Sequence, residues 1–218
     1  MEKFFEDLLD EFLSPEFLDV VRKKYHYSED QLSELENVAS KLMPHVRRDA
    51  CWNHRFFYNY AEVVMTLGEG PDILQEEFAG QGLLSECYMV ESLASELLLR
   101  GYAAYNRYVA EHTNYHVARY HFLGSGQKFP LDRLGGMLKR LQLPVRCNAA
   151  FCMMPKKSVA FVAELTKDET SRCQGICVGC NSGNCPNRME DGLHLGRMIA
   201  DMTDVPLSYG YSRIFGRI

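Results

Sequence analysis

Four thiols fall within thirteen residues of this chain: Cys173, Cys177, Cys180 and Cys185, in the run RCQGICVGCNSGNCPNR. The spacing is C-x3-C-x2-C-x4-C-P, with Gly175, Gly179 and Gly183 between the cysteines. Thiolates so close in sequence converge on one centre only if the backbone turns sharply between them, and glycine permits those turns by tolerating positive φ. Pro186 then stops the chain from continuing as a regular element. The alternatives to a metal site are a disulfide pair or an unligated loop. Zinc sites with four cysteines usually arrange them as two C-x2-4-C pairs around a longer insert. No such insert is present, and a compact run ending in Cys-Pro suits an iron–sulfur centre, although the ferredoxin spacing is not reproduced. A 4Fe-4S cluster on these four cysteines is the expectation, with zinc as the alternative.

The other cysteines, Cys51, Cys87, Cys147 and Cys152, are scattered through apolar segments, where a free cysteine behaves as a small buried hydrophobe. A grouped set beside scattered ones points to metal binding in a reducing compartment rather than to a disulfide scaffold. The first three cysteines of the run also match the C-x3-C-x2-C signature of radical S-adenosylmethionine enzymes. Those enzymes carry it near the start of a β/α barrel of about 200 residues or more. The stretch after Cys180 is too short for that, and a fourth thiol stands where the signature needs an open iron site. His112, His116 and His121 have suggestive spacing, two of them four apart, but lack the glutamate partner of a zinc hydrolase. No Ser–His–Asp order, phosphate loop or dinucleotide fingerprint stands out.

Around these residues the composition is that of a globular protein. Of 218 residues, 46% are hydrophobic and 24% charged, enough to bury a full core. A net charge of −5 without a basic stripe gives no reason to expect nucleic acid as a partner. The opening MEKFFEDLLDEFL is acidic and amphipathic, unlike a signal or transit peptide. No apolar run approaches the ~20 residues of a membrane helix. A cytoplasmic protein with no membrane partner is expected.

The elements that must position these groups are read from periodicity. Helices are expected over 2–13 and 16–25, the second opened by Ser14-Pro15. A third runs from Ser28 to Met43, with Pro44 just past its end. The aromatic, β-branched stretch 52–67 reads as a strand ending in the turn Gly68-Glu69-Gly70-Pro71. Residues 72–79 and 83–100 read as helices, the second buried over much of its surface and ended by Gly101, with another turn or two up to Glu111. A short strand over 117–123, a break at Gly124-Ser125-Gly126 and a helix from about Pro130 to Leu141 follow. A turn at Pro155-Lys156-Lys157 leads into the strand SVAFVAEL. One further short helix is expected over about 190–202. Helices mixed with a few non-consecutive strands indicate an α+β fold.

Three segments of this pattern carry a further signal. They are VVMTLGEGPDILQEEFAGQGLLSECYMVESLASELL (63–98), RYHFLGSGQKFPLDRLGGMLKRL (119–141) and CNAAFCMMPKKSVAFVAEL (147–165). In order and spacing they resemble the activation (reactivation) domain of vitamin B12-dependent methionine synthase, in its short stand-alone form from anaerobes. The family's T-L-G, R-x-S-P-G-Y-G-x-x-P-L-like and M-x-P-x-K-S-V-S-like motifs correspond to Thr66-Leu67-Gly68, to Arg119 through Gly124, Gly126, Pro130 and Leu131, and to Met153, Pro155, Lys157, Ser158 and Val159. The family's Pro-Gly-Tyr is replaced by Phe122-Leu123-Gly124-Ser125 with one inserted residue, so only Tyr115 or Tyr120 is left to supply the ring. The resemblance covers about half of the chain.

The resemblance implies an activation-domain-like α+β core over 51–168, with helices on a mixed or antiparallel sheet. A helical segment (1–50) would precede it, and a loop and tail bearing the cysteines (169–218) would follow. It implies reductive remethylation of cobalamin held by a partner, a corrinoid protein or split methionine synthase, with S-adenosylmethionine as methyl donor. Arg119 would grip the donor's carboxylate through its bidentate fork, with Gly124 and Gly126 allowing close backbone approach. Lys156, Lys157 and Ser158 could contact an anion, though a Lys-Lys turn is more often simply solvated. The alternative to this reading is a non-catalytic, zinc-stapled protein that docks on a corrinoid methyltransferase.

Overall fold

The computed structural model describes residues 1–171 and Cys173. The helix expected over 190–202 lies outside them, as do Cys177, Cys180 and Cys185. The architecture is α+β. In chain order the elements are β1 (Glu2–Lys3), α1 (Glu6–Glu11), α2 (Pro15–Lys24), α3 (Leu32–Asp49), β2 (Cys51–Phe57), β3 (Tyr60–Thr66), α4 (Gly70–Gly80) and α5 (Leu84–His112). They continue with β4 (His116–Phe122), α6 (Leu134–Leu141), β5 (Arg146–Cys147), β6 (Met153–Met154) and β7 (Ser158–Thr166). Five strands form a sheet in the order β1-β2-β3-β7-β4, with β1–β2 and β4–β7 antiparallel, and β5 and β6 make a separate two-stranded ribbon. No helix among the described residues is long and apolar enough to cross a membrane.

The chain divides into two compact units whose segments alternate along the sequence. The first comprises Met1–His54, Val64–Ala104 and Leu134–Ala160. Phe4, Leu35, Leu42, Trp52, Met65 and Met89 are fully buried in it. Its α2 begins as expected: Ser14 Oγ accepts the N–H of Phe17 at 3.1 Å and Pro15 occupies the first turn. Helix α2 is tied to α5 by charge as well as packing. Glu96, only 6% exposed, takes Lys24 Nζ at 2.7 Å and Arg100 Nε at 3.5 Å. Arg100 also lies over the ring of Phe17, at 4.5 Å. The second unit holds Arg55–Val63, Tyr105–Arg133 and the chain from Phe161. Tyr105 and Tyr120 both meet Phe161 edge-on, at 5.8 and 5.2 Å, and the Tyr120 hydroxyl donates to Asn106 Oδ1.

Four local expectations are corrected. The opening residues do not start a helix. Glu2 and Lys3 pair with Trp52 and Cys51, Phe4 N–H bonds to Ala50 O at 3.1 Å, and α1 begins only at Glu6. Helix α3 runs on to Asp49 with Pro44 inside it. Its buried stripe continues through Met43 to Val46 while Pro44 faces water, so the burial outweighs one missing backbone bond. The stretch 52–67 is two strands rather than one. Tyr58, at φ 54°, and Asn59 make the turn without the glycine that usually marks a hairpin. Gly101 does not end α5, which continues to His112. A Cβ at Gly101 would sit 3.2 Å from both Met65 Sδ and Phe4 Cζ, so glycine serves packing here rather than termination.

The turn after β3 is set by its contact with α3. A Cβ on Gly68, at φ +77°, would come 2.4 Å from Asp49 Cβ, and one on Gly70 would come 2.3 Å from His45 Cβ. Gly70→Ala keeps an accessible backbone conformation but forces α3 away. It should cost about 1–3 kcal/mol of stability as overpacking, read as a lower denaturant midpoint with an unchanged slope.

Candidate functional site

Of the four clustered cysteines, the structure places Cys173. The chain leaves β7 at Thr166, and Asp168 turns it by accepting the N–H and hydroxyl of Thr170 at 2.9 and 2.8 Å. A single 3-10 turn, Glu169–Ser171, follows. Cys173 is then 4% exposed and donates its N–H to Val117 O at 2.8 Å. The first thiol of the run is thereby fixed against β4, the strand that carries Arg119. No group of three or more His, Cys, Asp or Glu among the described residues could hold a metal ion. A metal centre here would thus need the three cysteines beyond them.

Arg119 stands opposite Glu164 in the β4–β7 register, just past an irregularity between Val117 and Arg119. Glu164 turns instead to His121, whose Nε2 lies 2.7 Å from its Oε2. Arg119 is exposed and forms no ion pair among the described residues. After β4 the loop 123–130 is closed by a 2.8 Å bond from Gly124 N–H to Phe129 O and by Ser125, whose N–H reaches Phe122 O at 3.1 Å. Gly124 has φ +84°, and a Cβ there would press on Leu131 Cβ at 3.3 Å, so the turn itself requires glycine. A Cβ on Gly126, in the same loop, would meet nothing within 4 Å. Neither tyrosine considered as a substitute for the family's ring lies free beside Arg119. Tyr120 is buried on Phe161, and the ring of Tyr115 lies under Lys167 Nζ at 5.5 Å.

The histidines do not form a set. His112 ends α5 and His116 opens β4, so the four-residue spacing spans a helix-to-strand change. The nearest carboxylate recorded for His116 is Glu169, at 3.7 Å. A group of side chains that no single motif marks does surround His121. Tyr60, Phe129 and His121 contact one another at 5.8, 5.0 and 6.3 Å between ring centres. Lys128 Nζ lies 4.6 Å from the Tyr60 ring centre and donates to its hydroxyl. Tyr60 was hidden because the hairpin turn before it was not foreseen. Lys128 and Phe129 lie just past Gln127, in the loop that Gly124 and Gly126 mark.

In the first unit, two of the three motif segments meet. Leu67 N–H bonds to Lys157 O at 2.9 Å, and Ser158 Oγ lies 2.8 Å from Thr66 Oγ1 and 2.7 Å from Pro155 O. Gly68 N–H completes the knot on Thr66 Oγ1 at 3.1 Å. Thr66 and Ser158 are buried and mutually satisfied, so Ser158 is not an anion ligand. Lys157 is pinned too, to Glu91 and to Ser95 Oγ at 2.8 Å. Only Lys156, 63% exposed, is the solvated lysine of the turn. The scattered cysteines are not uniformly buried: Cys51 is, Cys87 and Cys147 are half-buried, and Cys152 is exposed on the β5–β6 ribbon. Burial, with a smaller push from the Asp49 charge, forces the Cys51 thiol pKa upward.

Burial would raise the Glu91 carboxyl, but the bond and charge of Lys157, with help from Gln75 and Ser95, hold it below its usual value. A carboxyl depressed in the fold stabilises above its unfolded pKa and loses that contribution as pH falls through the folded one. Glu91→Gln should therefore cost roughly 0.5 kcal/mol at neutral pH, a small figure because the pair is partly in water. The difference from wild type should close as pH falls below about 4.3, as read by chemical unfolding across pH. No protein-family model matches this chain, and a search of curated proteins returns no match.

Proposed function

We propose that this chain is a stand-alone relative of the vitamin B12-dependent methionine synthase activation domain that assists reductive remethylation of a corrinoid partner. The observation that carries this reading is the bond from Cys173 N–H to Val117 O. It ties the start of the four-thiol run to the strand bearing Arg119, two residues on. Adjacent residues in a strand advance about 3.3 Å, so the anchor and the carboxylate-binding candidate lie on one short stretch of backbone.

In this reading Arg119 holds the carboxylate of S-adenosylmethionine, and its guanidinium, exposed and without an ion pair among the described residues, suits that task. Gly124 and Gly126 let the loop backbone come close to the donor. Cys173, with Cys177, Cys180 and Cys185, would hold a 4Fe-4S cluster, which when bound supplies one electron at low potential, down to about −700 mV in known proteins. Cobalamin itself stays on the partner, a corrinoid protein or a split methionine synthase. A second reading uses the same thiols for zinc, as a staple in a non-catalytic protein that docks on a corrinoid methyltransferase.

Iron, sulfide and zinc content of the full chain prepared without oxygen separates the two. About four iron and four sulfide per chain, with a brown absorbance that bleaches on reduction, is the expected result. A colourless protein holding one zinc would end the electron-transfer reading. Cys177→Ser should lose the metal while thermal unfolding of the remaining fold persists. In calorimetric titration with S-adenosylmethionine, Arg119→Met should weaken binding by about tenfold or more, the usual effect of losing a charged hydrogen bond. Absence of binding by wild type would remove the methyl-donor role.

A further inference from the structure

The aromatic group on β4 and its following loop has a chemistry of its own, independent of Arg119 and of the cysteines. Tyr60 and Phe129 meet edge-to-face at 5.8 Å, His121 packs on Phe129 at 5.0 Å, and Phe57 stacks on Tyr60 at 5.8 Å. Aromatic faces carry negative quadrupole potential and attract cations. One cation is already there. Lys128 Nζ lies 4.6 Å from the Tyr60 ring centre and 5.6 Å from that of Phe129. Its bond to the Tyr60 hydroxyl, and the nearby charge of Glu164, hold the ammonium above its ordinary pKa. Glu164 is fixed beside the platform by His121, and its carboxylate keeps the local field negative.

We infer that Tyr60, His121, Phe129 and Glu164 form a binding platform for a small alkylated onium group, a sulfonium or quaternary ammonium, with Lys128 as its resident competitor. Lys128 is an exposed side chain, so leaving the platform costs it little. A primary ammonium also keeps strong hydrogen bonds to water, whereas an alkylated onium has no N–H to satisfy and gains more from aromatic faces. The loop that carries Lys128 is anchored through Gly124 and Phe129 backbone atoms, so the side chain can leave without unmaking the turn. Phe129 is buried and backs the platform, so the half-buried Tyr60 and His121 offer the accessible ring surface once the lysine yields.

The test is titration of the full chain with tetramethylammonium chloride and with trimethylsulfonium chloride, against sodium chloride at equal ionic strength. The side-chain resonances of Tyr60, His121 and Phe129 are the readout. These probes carry no carboxylate, so the outcome does not draw on the role given to Arg119. Saturable shifts with both oniums and none with sodium are expected. Lys128→Ala should tighten binding by about threefold to tenfold by removing the competitor. Tyr60→Phe should retain binding because the ring face remains, while Tyr60→Leu should lose it. No saturable response in either wild type or Lys128→Ala would overturn the inference. Equal affinity in wild type and a folded Tyr60→Leu protein would do the same.

Discussion

The pairing of β4 with β7 is the constraint on which the candidate chemistry depends. Six partners, from His116 opposite Thr166 to Phe122 opposite Phe161, set the register. That register puts Arg119 opposite Glu164 and brings His121 within reach of the same carboxylate. Because side chains alternate along a strand, a slip of one residue would send Arg119 and His121 to the other face. The register is held by burial: Val117 and Tyr120 on β4, with Phe161, Ala163 and Leu165 on β7, are all interior. The polar residues of β4 therefore sit where the apolar ones place them.

The same strand receives the returning chain. A turn built on Thr166, Asp168 and Thr170 delivers Cys173 to Val117 through side-chain caps rather than through apolar burial. Its start is thus local and polar, while its end is a buried cysteine.

Much of the architecture was legible in the sequence, and the failures have physical reasons. Ser14-Pro15, the strand after Lys157 and the helix ending at Leu141 follow from capping, β-branching and helical spacing. Gly101 and Pro44 misled because their usual roles as helix terminators are local, while here tertiary burial decides. The hairpin at Tyr58-Asn59 went unseen for want of a glycine. Near β4, the turn at Gly124 was readable because a left-handed turn leaves its mark at a single position. The Tyr60–His121–Phe129 group was not, since its members are far apart in sequence and meet only through the sheet and the loop. Lys157 was misread for the complementary reason, as its partner Glu91 lies on a distant helix.

The β5–β6 ribbon bears on how the thiols of this chain can be counted. Cys152 is open to solvent, Cys147 and Cys87 are half-open, and Cys51 is enclosed. An alkylating label added to the native protein therefore has a site at Cys152 whatever becomes of the cysteine run, and total labelling does not report on that run alone. Replacing Cys152 with serine, or mapping each label to its peptide, separates labelling at this exposed thiol from labelling in the run.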